Sequence, residues 1–332
     1  MSTALAAIRR ANATRLADGF RRAGADEVLV VDGPPDDRPF GRRLREAVAG
    51  VAADGLIVLG SGSIPLAEPP DLAELVAVAS GPPDRALANN RYSADVVAVA
   101  GAGRLADVPD LPSDNGLPRW LAEAGVAVDD RRRRWRLQVD LDSPLDALLI
   151  RPADPGPLED AGVPTGAARA ALAGVARASR DSGRELLVAG RLSAGGLAWL
   201  ERSTASRTRA LVEERGFRTR RPGQRPARST LGLLLDREGP AAFGTIVAEL
   251  GDAALVDSRV LLAHHCGADE RGWPAAEDRF ASDLLLPDRI ADPWLRSLTT
   301  AAVEAPIPVV LGGHSLVGPG LRLALGRGPS WT

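Results

Sequence analysis

The sequence contains no lysine and only one cysteine, Cys266. A chain without lysine cannot form a Walker P-loop, whose lysine contacts the nucleotide phosphates, and it cannot form a lysine Schiff base. A single cysteine excludes an internal disulfide framework and a zinc site built from several cysteines. No apolar run approaches the ~18 residues of a membrane-spanning helix, and the segment around Arg9 and Arg10 lacks the apolar stretch of a signal peptide. We therefore expect a cytoplasmic protein without a membrane partner.

Positive and negative charges nearly balance, with 41 basic residues, all of them arginine, against 43 acidic ones. Because nucleic-acid-binding proteins that work through bulk charge are usually basic, we expect a small-molecule partner and no nucleic acid. The run Arg131–Arg134 directly follows Asp129 and Asp130, which favours a solvated surface over a nucleic-acid patch. Hydrophobic residues make up 45% of the 332 residues, an ordinary globular composition that predicts about two domains.

Short apolar strands alternate with helical segments along the first half of the chain. This alternation predicts an α/β fold with a mostly parallel sheet and helices on both of its faces. Ser143 is expected to cap a helix over Pro144–Ile150. The strands predicted in this half are Glu27–Val31, Gly55–Gly60, Asp95–Ala100 and Trp135–Val139.

Residues 151–166 are dense in proline and glycine, and they form the predicted linker between a first domain, 1–150, and a second α/β domain, 167–332. The arginine-rich segment Arg215–Arg228 is expected to be either a solvated loop or a mobile flap that contacts phosphate. The strands predicted in the second half are Glu185–Ala189, Arg259–Ala263 and Pro308–Gly312.

The strongest group of polar residues is the segment Val139–Asp146 (VDLDSPLD), in which Asp140 and Asp142 follow a predicted strand. Side chains two residues apart project to the same side of a strand. Open α/β sheets bind their ligands at the carboxyl ends of the strands, and hard oxygen ligands there suit Mg²⁺. Asp140 and Asp142 are therefore the candidate metal ligands. The alternative is that Asp142 or Ser143 only caps the helix that follows.

This segment resembles the VDxDTPxDL segment of nucleotidyltransferases with the GT-A nucleotide-diphospho-sugar transferase fold, such as the molybdenum-cofactor and phospholactate guanylyltransferases. In that family one aspartate of the segment helps to hold the metal on the nucleotide phosphates. Leu56–Leu66 (LIVLGSGSIPL) is similar to the family's strand and turn VLGSDxPLL. The resemblance covers residues 3–150. It implies a GT-A-like fold, a nucleotide site that includes Ser61 and Ser63, and Mg²⁺-dependent nucleotidyl transfer to a small phosphorylated or acidic acceptor.

Two departures from the family's pattern leave another function open. The turn has Ser61-Gly62-Ser63 where the family has a metal-binding aspartate. The chain also begins with a predicted helix, whereas the family begins with a strand and a Gly-rich loop, LAGGxSxRMG. The alternative to a transferase is therefore a protein that binds a nucleotide or sugar nucleotide without catalysis.

Val310–Ser315 (VLGGHS) is similar to part of the missing loop. If it replaces that loop, Pro308–Gly312 lies beside Gly55–Gly60 or Glu27–Val31, the two parts of the chain are interlocked, and Gly312 and Gly313 line a nucleotide pocket. Two glycines after a strand let backbone N–H groups approach a phosphate closely. The alternative is a Gly-rich turn after a core strand of the second domain.

Three further groups have weaker functional interpretations. Asn89, Asn90 and Arg91 suit recognition of a base or sugar hydroxyl and of a phosphate, and the alternative for them is a local turn. Ser315 lies in a sequence similar to the hydrolase motif G-x-S-x-G, but no acidic residue or histidine follows it, so a serine hydrolase is a minor alternative. His264 and Cys266 would share one face of a strand, yet the chain offers few further soft ligands for a metal.

Overall fold

The computed structural model describes residues 1–31, 33, 38–51, 53–151, 156–215 and 225–326. The chain is an α/β protein with two four-stranded sheets, one mixed and one entirely parallel. It divides into an N-terminal unit, Arg9–Asp140, and a C-terminal unit that combines Met1–Ile8 with Leu141–Thr332. The predicted α/β class is confirmed, but the sheet of the first half, predicted to be mostly parallel, is mixed, because its strand Val96–Ala100 runs antiparallel to both of its neighbours. Within the described ranges, no helix is both long and apolar enough to cross a membrane.

The sheet of the N-terminal unit has the order β1-β3-β2-β4, in which β3 is antiparallel to both of its neighbours and β2 is parallel to β4. The helices in this part of the chain are α1 (Ser2–Arg22), α2 (Phe40–Val48), α3 (Pro69–Ala79) and α4 (Leu117–Glu123), and the strands are β1 (Gly55–Leu59), β2 (Arg85–Ala88), β3 (Val96–Ala100) and β4 (Ala127–Asp130).

Helices cover both faces of this mixed sheet. Along β3 the side chains alternate between the faces. Val96 and Ala98 belong to a buried cluster with residues of α1 and α3, whereas Val97 and Val99 belong to a second cluster with residues of α2 and α4. All five residues of β3 are therefore buried, which explains why its sequence is continuously apolar.

The sheet of the C-terminal unit is parallel throughout, with the order β6-β5-β7-β8. Its strands are β5 (Glu185–Gly190), β6 (Arg207–Val212), β7 (Ala253–Asp257) and β8 (Val309–Gly312). Its helices are α5 (Pro144–Ile150), α6 (Gly156–Asp160), α7 (Gly166–Ala178), α8 (Ala194–Ser203), α9 (Thr230–Glu238), α10 (Phe243–Leu250), α11 (Ser258–Cys266), α12 (Ala276–Asp283), α13 (Pro293–Glu304), α14 (His314–Val317) and α15 (Leu321–Leu325).

Three of the strand predictions are wrong. Glu27–Val31 forms no strand, and its last three side chains are exposed. Most of Trp135–Val139 is a 3₁₀ turn, and Arg259–Ala263 lies in α11, directly after β7. A short apolar run by itself does not distinguish a strand from a buried helical segment.

The strand predicted at Pro308–Gly312 is confirmed as β8, but the predicted neighbours of that strand are wrong. β8 pairs with β7 in the C-terminal unit, with Gly312 opposite Asp257, and not with β1 or Glu27–Val31. The reason is that β5, β7 and β8 are almost completely buried and together form the apolar centre of one parallel sheet. The predicted interlocking through this strand therefore does not occur.

The chain passes from the N-terminal to the C-terminal unit between Asp140 and Leu141, ahead of the linker predicted at 151–166. α5 belongs to the C-terminal unit because Leu145, Leu148 and Leu149 are buried in the same cluster as β5, β7 and β8. Residues 152–155 of the predicted linker and 216–224 of the predicted arginine-rich loop lie outside the described residues.

The two adjacent glycines at the end of β8 provide a test of this packing. A Cβ atom on Gly312 would lie 2.9 Å from side-chain atoms of both Leu145 and Leu316, whereas one on Gly313 would approach only Arg259, at 3.9 Å. We expect Gly312→Ala to lower the free energy of unfolding by about 1–3 kcal/mol, because overfilling a packed core costs that much. Gly313→Ala is the matched control and should cost less. Urea unfolding of both variants measures the difference, and equal effects would contradict this packing.

Candidate functional site

The predicted nucleotide residues of the N-terminal unit lie along one edge of its sheet. β1, β2 and β4 run in the same direction, because β1 and β2 are both antiparallel to β3 and β4 is parallel to β2. Their carboxyl ends therefore share an edge, where the Ser61-Gly62-Ser63 turn follows β1 and Asn89-Asn90-Arg91 follows β2. This is the edge at which ligands bind in open α/β sheets.

The turn after β1 is joined to the segment that ends at Asp140. Ser63 and Asp140 form an isolated antiparallel β-bridge. The hydroxyl of Ser63, which is buried, donates to the carbonyl oxygen of Asp95 at 2.9 Å and accepts the N–H of Gly60 at 3.2 Å. Ser61 is the exposed residue of the turn. The two segments that resemble the nucleotidyltransferases thus meet in space, although they are far apart in sequence.

Two side chains of α1 also contact this turn, and the sequence interpretation missed both. The Nδ2 of Asn12 donates to the carbonyl oxygens of Ser61 and Ser63, at 2.9 and 3.0 Å. Arg15 donates to the carbonyl oxygens of Ile64 and Ala67, each at 3.2 Å, and to the side-chain oxygen of Asn12. No signal in the sequence marks them, because the burial of the Asn12 amide becomes visible only in the fold.

Ile64, at the end of the turn, has a strained backbone. Its φ is 43°, and its side chain is completely buried. A positive φ is unusual for any residue with a Cβ and is a real outlier for a β-branched one. Such a conformation costs about 1–3 kcal/mol and persists only where surrounding contacts enforce it, which happens most often at functional sites.

Asn89 has a structural role at this edge. Its Oδ1 accepts the N–H groups of Asp95 and Val96, at 2.9 and 3.3 Å. Its Nδ2 donates to the carboxylate of Asp95 and the carbonyl oxygen of Leu137, both at 2.9 Å. A primary amide has two donor hydrogens and two acceptor lone pairs, so this side chain has no capacity left for a ligand.

Asn90 and Arg91, which follow Asn89, differ from it and from each other in their hydrogen bonding. The side chain of Asn90 accepts the N–H of Tyr92 at 3.0 Å, which is the Asx turn expected as the alternative. Arg91 is half-buried, and within the described part of the chain it forms no hydrogen bond or ion pair. Of the three predicted residues here, Arg91 is the one best able to contact a phosphate.

The arginine run is mostly exposed, as the prediction of a solvated surface expects, and two of its members, Arg131 and Arg134, also pair with acidic residues of α3. The Nη2 of Arg131 lies 2.6 Å from Glu74, and this hydrogen bond lowers the pKa of Glu74 despite partial burial. Further ion pairs join Arg134 to Asp71 and Glu74 and Arg136 to Glu68. These pairs fix the turn that leads to Asp140.

Asp140 and Asp142 belong to different compact units. Asp140 is half-buried in the N-terminal unit, and Asp142 is exposed in the C-terminal unit. Ser143 caps α5, as expected, by accepting the N–H of Asp146. Among the described residues there is no group of three or more His, Cys, Asp and Glu placed to hold a metal.

Asp146, which the sequence interpretation did not select, is the most strongly perturbed carboxyl group of this segment. One of its oxygens accepts the N–H groups of Asp142 and Ser143, at 3.0 and 2.7 Å, and the Ser143 hydroxyl. Burial, and after it the negative charge of Asp142, raises the pKa of Asp146 to about 7. Asp146 therefore titrates near neutral pH.

Two buried ion pairs lie at the carboxyl edge of the parallel sheet in the C-terminal unit. Arg191, directly after β5, binds both carboxylate oxygens of Asp257 at 2.6 and 3.0 Å. Burial would raise the pKa of Asp257, but the charge and hydrogen bonds of Arg191 outweigh burial and lower it. Arg259 binds both oxygens of Asp283, at 2.8 and 2.6 Å. Burial would lower the pKa of Arg259, but the charge of Asp283 raises it.

Gly312 and Gly313 also lie at this edge, in a different compact unit from Ser61 and Ser63. The carbonyl oxygen of Gly312 accepts the hydroxyl of Ser258 at 3.1 Å. Its Cα is enclosed by leucine side chains, so Gly312 serves close packing at the end of β8. This agrees with the alternative of a Gly-rich turn after a core strand.

The remaining candidates have ordinary structural partners. Nδ1 of His264 accepts the N–H of Ser229, and Nε2 lies 2.9 Å from a carboxylate oxygen of Asp236. His265 stacks on Trp294 with a ring separation of 4.4 Å. The side chain of Ser315 is buried in α14, which gives the hydrolase alternative no accessible nucleophile.

Asp146 gives a prediction about stability and pH. Folding raises its pKa from the ordinary 3.8 to about 7. The contribution of protonated Asp146 to the free energy of unfolding is therefore complete below pH 3.8, and it is lost as the pH rises through 7. Relative to Asp146→Asn, wild type should lose about 1.4 kcal/mol of unfolding free energy per pH unit between pH 5 and 7, and the loss should level off above pH 8.

Urea unfolding at pH 5, 6, 7 and 8 checks this dependence. Asp288→Asn, which changes an exposed carboxylate of the same unit, is the control and should follow wild type at every pH. A difference between wild type and Asp146→Asn that stays constant from pH 5 to 8 would mean that Asp146 does not titrate in this range.

The polar edge of the N-terminal unit thus combines the turn after β1, the half-buried Arg91 and the Asp140 segment. Comparisons of the chain with known protein families, with curated proteins and with solved structures found no match.

Proposed function

We propose that the N-terminal unit binds a nucleoside triphosphate with Mg²⁺ and transfers its nucleotidyl group to a small phosphorylated or acidic acceptor. The observation that carries the proposal is the backbone bridge between Ser63 and Asp140. It joins the two segments that resemble the GT-A nucleotidyltransferases, at the sheet edge where such ligands bind. A GT-A-like fold of this unit is part of the same proposal.

The oxygen ligands at this edge fit a magnesium ion that is shared with the substrate phosphates, and they do not fit an ion held by protein groups alone. Mg²⁺ prefers oxygen ligands, and proteins commonly hold it with one or two carboxylates together with substrate phosphates and water. An ion held by protein groups alone does not fit, because no set of three candidate ligands is assembled within the described residues. Asp140, beside the turn, would hold an ion that is shared with the phosphates. Asp142 belongs to the other compact unit and is not part of this proposal.

The proposed reaction needs little covalent chemistry from the protein. An oxygen of the acceptor attacks the α-phosphorus in line, a new O–P bond forms, the bond to the β-phosphate oxygen breaks, and pyrophosphate leaves. When bound, Mg²⁺ supplies neutralisation of the phosphate charge. Arg91 would bind a phosphate, and the hydroxyl of Ser61 would contact the nucleotide. Positioning and electrostatics therefore provide most of the proposed catalysis.

A protein that binds the nucleotide without catalysis is the second candidate. It is favoured by the hydrogen bonding at this edge, since the hydroxyl of Ser63 and the amide of Asn89 are already engaged within the protein. The turn after β1 also offers hydroxyl groups where the family has a carboxylate, and hydroxyls are weaker ligands for Mg²⁺. The two candidates share the binding site and differ in whether pyrophosphate is released.

Thermal unfolding with ATP, GTP, CTP or UTP, each with and without Mg²⁺, tests the shared site. A nucleotide that binds only the folded protein stabilises it by about 2.7 kcal/mol at a hundred times its Kd. We expect one of the four to raise the melting temperature only with Mg²⁺. Asp140→Asn should weaken this binding about tenfold, which corresponds to about 1.4 kcal/mol.

Asp107→Asn removes an exposed carboxylate of the same unit and is the matched control, which should keep the full shift. The proposal fails if no nucleotide stabilises the protein, or if Asp140→Asn responds to Mg²⁺ and nucleotide as wild type does. Release of pyrophosphate in the presence of phosphorylated and carboxylic acceptors then separates the transferase from the binding protein.

A further inference from the structure

The segment Ser61–Ala67, which begins with the turn after β1, is in contact with the side chains of two residues of α1. Asn12 and Arg15, one helical turn apart on α1, donate hydrogen bonds to four carbonyl oxygens, those of Ser61, Ser63, Ile64 and Ala67. Arg15 also donates to the side-chain oxygen of Asn12, which fixes the orientation of the amide. We propose that Asn12 and Arg15 are positioning residues for the nucleotide site. This inference rests on the proposed function.

The turn needs such support because Ile64 does not favour its own backbone conformation. With a φ of 43°, Ile64 lies in the left-handed region that β-branched residues avoid. If its backbone relaxed to a negative φ, the peptide groups on both sides of it would rotate. Ser63 directly precedes Ile64, so this rotation would disturb the bridge between Ser63 and Asp140.

The contacts from α1 oppose that relaxation in a specific way. The nitrogen of Asn12 binds the carbonyl oxygens of Ser61 and Ser63, and Arg15 binds the carbonyl oxygen of the strained residue itself. A favourable interaction at each of these oxygens is lost if the peptide groups rotate. The strain and the hydrogen bonds together therefore define a single conformation of the turn.

α1 is itself held firmly against the neighbouring helix α3. A Cβ atom added to Gly19 would lie only 2.5 Å from a methyl carbon of Leu72, so the two helices approach closely at this glycine. Leu16 and Phe20 are buried in the same apolar cluster as Leu72 and Leu75. The donors on α1 therefore project from a fixed support, as positioning residues require.

The consequence for the site concerns Ser61 and Asp140. Ser61 is the exposed residue of the turn, and its carbonyl group is fixed by Asn12. Asp140 is joined to the other end of the same turn through Ser63. Asn12 and Arg15 touch neither the proposed nucleotide nor the ion, and they act by fixing the distance between these two groups.

The first measurement does not depend on a ligand. The N–H of Ser63 is bonded to the carbonyl oxygen of Gly60, and that of Ala67 to Ile64, so both amides report on the turn. We expect hydrogen exchange at these two amides to be at least about tenfold faster in Asn12→Ala, because two hydrogen bonds to the turn are lost. Thr14→Ala is the matched control on α1 and should exchange as wild type does, since among the described residues the hydroxyl of Thr14 bonds only to the carbonyl oxygen of Arg10 within the helix.

The second measurement is the Kd of the nucleotide identified by thermal unfolding, with Mg²⁺ present. Asn12→Ala and Asn12→Asp should weaken binding about tenfold, and the carboxylate of the latter would face two carbonyl oxygens and repel them. Arg15→Lys keeps the charge but loses the forked geometry, so it should fall between wild type and Arg15→Met. Asn12→Gln keeps the amide donor and should bind the nucleotide more tightly than Asn12→Ala. If Asn12→Ala does not fold, Asn12→Gln takes its place in the comparison.

The outcomes separate this inference from the proposed function. Faster exchange together with weaker nucleotide binding supports it. Faster exchange with an unchanged Kd shows a merely structural role, and unchanged exchange shows that α1 does not hold the turn, so either result overturns it. If wild type binds no nucleotide, the proposed function fails and the positioning role fails with it, whereas the exchange data still decide whether α1 fixes the turn.

Discussion

One buried amide, that of Asn89, connects the parts of the polar edge in the N-terminal unit. Through four hydrogen bonds it fixes the first residues of β3, the carboxylate of Asp95 and the carbonyl group of Leu137. Ser63 in turn donates to Asp95, and Leu137 leads along the chain to Asp140. A buried amide left without a partner costs about 1–3 kcal/mol, so these segments are constrained as one set. The geometry of the proposed nucleotide site depends on this amide, although the amide itself binds no ligand.

The two compact units satisfy their polar groups in different ways. In the N-terminal unit, neutral amides and hydroxyls bond to backbone groups at the strand ends, and the ion pairs described above have at least one partly exposed partner. In the C-terminal unit, the strand ends carry two ion pairs that are almost completely buried. Burying such a pair requires desolvation of both charges, and removing one partner costs about 3–5 kcal/mol because the other charge is left alone. The parallel sheet is therefore intolerant of single substitutions at Arg191 or Arg259.

Local signals in the sequence predicted part of this structure correctly. α5 was predicted residue for residue, because Ser143 and Pro144 form a strong start signal and Ile150 ends the apolar run. β8 was predicted as a strand, but its partner was not, since pairing depends on contacts between distant parts of the chain. β2 and β4 were missed because each has only four residues and carries charged side chains, Arg85 in one and Asp129 and Asp130 in the other.

The residues of the candidate site also fall into those that the sequence predicts and those that only the fold reveals. The likeness of the Ser61–Ser63 turn and the Asp140 segment to one family rests on motifs, whereas the contact between Ser63 and Asp140 follows only from the fold. Asn89 was selected for its amide, but the use of that amide by the backbone follows only from the fold. Asn12 is one polar residue of an amphipathic helix, and no local pattern separates it from a solvated position. Asp146 was overlooked because its raised pKa depends on burial, which the sequence does not display.

The use of arginine as the only strongly basic side chain has a consequence for chemistry at high pH. Every side-chain ion pair described above for the two units has a guanidinium as its cation. In general a guanidinium keeps its charge at a pH at which the amine of a lysine has lost its proton. Without lysine, the side chains of this chain contain no primary amine. Acetylation, isopeptide attachment of a modifier protein and amine-directed crosslinking thus have no side-chain target here.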